Sequence, residues 1–63
     1  MTTKRDAQGR LHCDDGPAVE IADGSFVWYR HGVIHRDDGP AVRIVFDNGR
    51  TEEEYWINGQ QIA

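Results

Sequence analysis

Residues 9–21 and 32–44 of this chain are two copies of one motif. G-R-L-H-C-D-D-G-P-A-V-E-I is followed 23 residues later by G-V-I-H-R-D-D-G-P-A-V-R-I, and nine of the thirteen positions are identical. A repeat at this period means that each copy builds one supersecondary unit, and that neighbouring units cover one another. A third, truncated copy begins at Gly59, where W-I-N-G-Q-Q matches Y-R-H-G-V-I around Gly32. Its interval is 27 residues, so four residues have been added between the motifs. The chain therefore divides into a flexible, polar N-terminus over 1–8 and one repeat-built β domain over 9–63. The repeats run 9–31, 32–58 and, truncated, from 59.

Between the motifs the pattern is that of β-hairpins. Ala18 to Ala22 alternates, Asp23-Gly24 supplies a turn, and Ser25 to Tyr29 returns. Asp-Gly suits a two-residue type I′ turn, which would pair Ile21 with Phe26, Val19 with Trp28 and Ala18 with Tyr29. The second hairpin runs from Ala41 to Phe46, turns at Asn48-Gly49 and returns through Thr51 to Ile57. The same counting pairs Val42 with Tyr55, Ala41 with Trp56, Arg43 with Glu54, Ile44 with Glu53 and Asp47 with Arg50. The four added residues lengthen this hairpin by two per strand. Nothing reads as a substantial helix, and the repeat alignment makes 51–56 a strand. The expected fold is all-β: an antiparallel β-meander of repeated hairpins, a single sheet with about four main strands, and short strands at Leu11-His12 and Val33-Ile34. Period-two geometry puts Val19, Ile21, Phe26, Trp28, Val42, Ile44 and Tyr55 on one apolar face. Tyr29 and Trp56 fall on the opposite face, across from Ala18 and Ala41, as a candidate contact patch.

The repeated H-x-D-D-G-P-A motif carries the chemistry-bearing side chains. His12 with Asp14 and Asp15, and His35 with Asp37 and Asp38, offer nitrogen and carboxylate ligands of the kind a metal takes. The same residues are also turn formers. Asp bonds its own backbone, Gly takes positive φ, Pro pre-sets the next strand, and His orients the turn through a ring N–H to a carboxylate. A motif present once per repeat builds the repeat, so the turn reading is taken, with no metal and no cofactor. Cys13 aligns with Arg36, so the motif does not require a thiol.

The spacing aromatic-x-x-G-x-x-H in Tyr29-Arg30-His31-Gly32-Val33-Ile34-His35, with its 23-residue period, resembles MORN-type repeats. It is more similar still to divergent H-R-x-D-G-P-A repeats of small bacterial and phage-type proteins. The resemblance covers residues 9–62. It implies successive hairpins in one elongated antiparallel sheet used for protein or lipid contact and for assembly, and it implies no catalytic residues.

Eleven acidic against seven basic residues give a net charge of −4, which disfavours direct nucleic-acid binding and anionic membranes. The start of the chain lacks the apolar stretch of a signal peptide, and a single cysteine forms no internal disulfide, as expected of a cytoplasmic protein. The expected function is a non-enzymatic protein-interaction module, a homodimer that also binds a protein partner. The alternative is a phage- or prophage-encoded inhibitor of a host defence system, anti-CRISPR-like or mimicking nucleic acid, acting in the host cytoplasm. Its carboxylates would be Asp37, Asp38, Asp47, Glu52, Glu53 and Glu54. With Tyr29 and Trp56 these are the candidate partner-binding residues.

Overall fold

The computed structural model describes residues 1–63 and is all-β, without a helix. Nine short strands follow in chain order: β1 (Thr2–Thr3), β2 (Val19–Glu20), β3 (Phe26–Val27), β4 (Tyr29–Arg30), β5 (Val33–Ile34), β6 (Val42–Val45), β7 (Thr51–Glu54), β8 (Trp56–Ile57) and β9 (Gln60–Gln61). The main sheet is antiparallel, in the order β1-β2-β3-β6-β7, and β4-β5 and β8-β9 are small two-stranded arms. The four expected main strands are β2, β3, β6 and β7. The second hairpin is longer than the first by two residues per strand, as the added four residues require. The molecule measures 37 × 26 × 15 Å. A thickness of 15 Å leaves little room for a second layer, since packed sheets lie ~10 Å apart.

The hairpin register differs from the expected one by one residue. Ile21 N–H donates to the Ser25 carbonyl (2.9 Å) and Gly24 N–H to the Ile21 carbonyl (3.0 Å), so Ala22-Asp23-Gly24 is a three-residue loop. Asp47-Asn48-Gly49 repeats it, with Phe46 N–H on Arg50 O and Gly49 N–H on Phe46 O. In each loop only the glycine has positive φ (97° and 83°). The reason is local. Asp23 Oδ1 accepts the Ser25 N–H and Asn48 Oδ1 accepts the Arg50 N–H, which holds Asp and Asn out of the left-handed region and leaves a glycine bulge. The Ser25 N–H, and then its side chain, hold the Asp23 carboxyl below its ordinary range. The two-residue turns that do have positive φ at both positions are His31-Gly32 and Asn58-Gly59, at the tips of the arms.

The shift changes the faces. Val19 pairs with Val27, Val27 with Val42, and Val42 with Glu54, giving one row across the sheet. Glu20, Phe26, Arg43 and Glu53 form the row on the other face, where Arg43 pairs with Glu53 at 2.9 Å. The expected apolar face thus keeps Val19, Ile21, Val42 and Ile44 and gains Val27. It loses Phe26 to the other face, while Trp28 and Tyr55 stand where the chain leaves β3 and β7. Tyr29 and Trp56 do not lie across from Ala18 and Ala41: they open the arms, opposite Ile34 and Gln61. The core is not aromatic either. Ala18, Ala41, Val42, Ser25 and His35 are the buried residues, and no large side chain is fully buried. The alanines are interior because each is bonded on both sides, Ala18 between Lys4 and Val27, and Ala41 between Trp28 and Glu54.

The first eight residues, expected to be loose, carry edge strand β1 and the start of a further arm. Lys4 N–H donates to Ala18 O, Arg5 bridges Leu11, and Asp6 is held by Gln8, Arg10 and His31. The His12 N–H to Lys4 O bond is matched by His35 to Trp28 and by Ile62 to Tyr55, so three arms stand in equivalent places. Gly9, which lies 23 residues before Gly32, is the sequence sign of the first arm.

Candidate functional site: the cleft between the repeat loops

Each motif histidine ties its loop to the next arm. His12 Nδ1 accepts the His31 N–H at 2.9 Å, and His35 Nδ1 accepts the Asn58 N–H at 3.0 Å. Backbone bonds run beside them, Gly32 to Leu11 O and Gly59 to Ile34 O. An Nδ1 that accepts an N–H must place the proton of a neutral imidazole on Nε2. Nε2 faces the motif's own aspartate, Asp14 at 2.9 Å and Asp37 at 3.0 Å. At His35 the Asp37 oxygen lies off the line of the ring N–H, so this buried donor has no aligned acceptor. Nδ1 is thus occupied and Nε2 protonated, which leaves neither histidine a free lone pair for a metal or for proton abstraction. No group of three or more His, Cys, Asp or Glu side chains is arranged to hold a metal ion.

The turn reading needs one correction. Neither Gly16 nor Gly39 has positive φ. Each precedes a proline, which favours extended backbone. At Gly39 the constraint is space: a Cβ would lie 3.0 Å from the Arg36 guanidinium carbon. Arg36 folds across its loop, with Nε on Asp38 (2.9 Å) and an NH1 hydrogen bond to Pro40 O (3.0 Å), and its guanidinium lies 4.0 Å above the Trp28 ring centre. In the first repeat Cys13 takes that place, and its thiol donates to Asp15 at 3.3 Å.

The two loops face each other across a cleft of about 280 Å³. Residues 13–15 form one wall, 35–38 the other, and 28–30 the floor. Three sequence-derived candidates, Tyr29, Asp37 and Asp38, meet here. Asp14 and Asp15 join them, so four carboxylates face two guanidinium groups, Arg30 and Arg36. Arg30 stands 3.9 Å from Asp37. The other candidates lie elsewhere. Trp56 opens the third arm and donates its indole N–H to Glu54 at 2.9 Å. Asp47 is at the tip of the long hairpin. Glu52 and Glu54 share a face of β7, whereas Glu53 points to the other face and pairs with Arg43. The six proposed mimic carboxylates therefore do not form one surface. The placement of Arg36 on Trp28 was not foreseen, and its only trace in the sequence is the Cys13/Arg36 difference.

A second polar cluster surrounds Asp6 at the first arm. Its carboxylate accepts from His31 Nδ1 (2.9 Å), Arg10 Nε (3.0 Å) and the Gln8 and Arg10 N–H groups. The His31 bond, foremost, holds the Asp6 carboxyl well below the usual carboxylate range. His31 also stacks on His12, with ring centres 4.1 Å apart. No protein-family model, curated protein or solved structure matches this chain.

Proposed function

We propose that this chain is a small, non-enzymatic protein-interaction module built of MORN-like hairpin repeats. The observation that carries the reading is where the large side chains are. None is fully buried, and Ile21, Ile44, Phe46 and Tyr55 are exposed on a slab 15 Å thick whose interior is two alanines, a valine, a serine and a histidine. Exposed apolar and aromatic groups on so small a surface are what a partner covers. The absence of a free imidazole lone pair at His12 or His35 supports a binding role over an acid–base one. The same reading makes the protein a homodimer through the face that carries Ile21 and Ile44, leaving the cleft open to a different protein. Affinity capture on the immobilised chain tests the module. A partner retained in stoichiometric amount, and lost with a Tyr29→Ala variant that melts like the wild type, is the expected result. Capture that is indifferent to Tyr29→Ala and to Ile44→Asp overturns it.

A further inference from the structure

The loop that Arg36 occupies shows how this repeat binds a guanidinium. The carboxylate of the second aspartate takes Nε, the proline carbonyl takes a terminal N–H, and an aromatic ring lies beneath the plane. The first repeat keeps the aspartate (Asp15) and the proline (Pro17) but has Cys13 in place of the arginine. Asp14 and Asp15 therefore have no arginine on their own loop: Asp14 meets His12 Nε2 at 2.9 Å, Asp15 accepts the Cys13 thiol at 3.3 Å, and both line the cleft with Tyr29. The opposite wall holds an unmet donor. His35 lines the cleft with a side chain 7% exposed, and its buried Nε2–H lies beneath Asp37, 3.0 Å away, without an aligned acceptor. Asp37, which covers it, is itself 71% exposed, with Arg30 3.9 Å from its second oxygen.

We propose that this cleft is a binding site for an arginine side chain presented by a partner protein. The proposal rests on the module reading and names the chemistry of its partner. Asp15 and Asp14 receive the guanidinium, Tyr29 lies alongside its plane, and the peptide carbonyl next to the arginine accepts the His35 Nε2–H once Asp37 moves aside. The excess of carboxylates over guanidinium groups sets the sign of the ligand charge. The planar fork favours arginine over lysine, because a guanidinium presents parallel N–H groups to two acceptors while its flat face stacks on a ring, a geometry that an ammonium does not match.

The test is an NMR titration of the full chain with acetyl-Gly-Arg-Gly-amide, and with its lysine counterpart as control. Saturable shifts confined to residues 13–15, 28–30 and 35–38 are expected, with a dissociation constant on the order of 1 mM for one isolated side chain. Lysine should bind several-fold more weakly, and Asp15→Asn should weaken the arginine peptide about tenfold. Cys13→Arg supplies a guanidinium to Asp15 from within the chain, and it should abolish binding while leaving the fold intact. This variant stands as the test if Asp15→Asn fails to fold. Non-saturating shifts, equal response to lysine, or undiminished binding by Cys13→Arg would overturn the site. A chain that captures a partner through Tyr29 but shows no cleft response to the peptide loses the arginine site and keeps the module. Failure of capture as well removes both.

Discussion

Replacing His35 by alanine removes the one buried side chain that joins a repeat loop to the next arm. Two losses add. The Asn58 N–H loses its acceptor, which costs about 1–2 kcal/mol at a turn that water can partly reach. The ring is 93% withdrawn from solvent, its side chain being 7% exposed, and the packing it gives up contributes ~1 kcal/mol. The sum is about 2–3 kcal/mol, a large part of what a domain this small can hold in reserve. At roughly 4–8 °C per kcal/mol for a domain of this size, the melting temperature should fall by about 10–20 °C. Thermal melts followed by circular dichroism measure the total, and hydrogen exchange of the Asn58 amide isolates the bond. His35→Asn puts an amide oxygen near the Nδ1 position and should recover about 1 kcal/mol with part of the Asn58 protection. His12→Ala should instead expose the His31 amide and leave Asn58 protected. An Asn58 amide that exchanges equally slowly in wild type and His35→Ala would refute the account of His35 as the tie between repeats.

Three further outcomes are expected. Gly39→Ala should destabilise the fold and loosen Arg36 from Trp28, seen as a change in indole fluorescence, whereas Gly16→Ala, whose Cβ would meet only the Cys13 sulfur at 3.9 Å, should melt near wild type. Because the Asp6 carboxyl is held low in the folded chain, the stability it contributes is complete above the ordinary carboxylate value of about 4 and is lost as pH falls through its lowered folded value. Urea midpoints of the wild type should therefore fall on acidification below that point, and those of Asp6→Asn should fall less. Sedimentation velocity at micromolar concentration should give a species of twice the chain mass, reduced to a single chain by Ile44→Asp. A wild type that sediments as a single folded chain would remove the dimer.

The repeat, the all-β class, the two main hairpins and the two extra residues per strand in the second of them were all legible in the sequence. They follow from local facts: a 23-residue period, alternation of apolar residues, and Asp-Gly and Asn-Gly between alternating runs. The register was not legible, because the same dipeptides serve a two-residue turn with two positive φ angles and a three-residue loop with one. Choosing between them takes the whole sheet. The three-residue loop aligns Val19, Val27 and Val42 in one row and lets Asp23 and Asn48 bond their own backbone. The two-residue turn would have set Trp28 opposite Val19. The first arm was hidden for a related reason, since Lys4, Arg5 and Asp6 have no apolar pattern and are held by backbone bonds to Ala18 and His12 and by the Asp6 cluster. The cleft is the clearest tertiary product. The sequence places Cys13 and Arg36 at matching positions in two loops. Only the pairing of Cys13 with the Tyr29 carbonyl, and of His35 with that of Trp28, brings those loops to opposite sides of one floor, where four carboxylates share a space that two arginines do not fill.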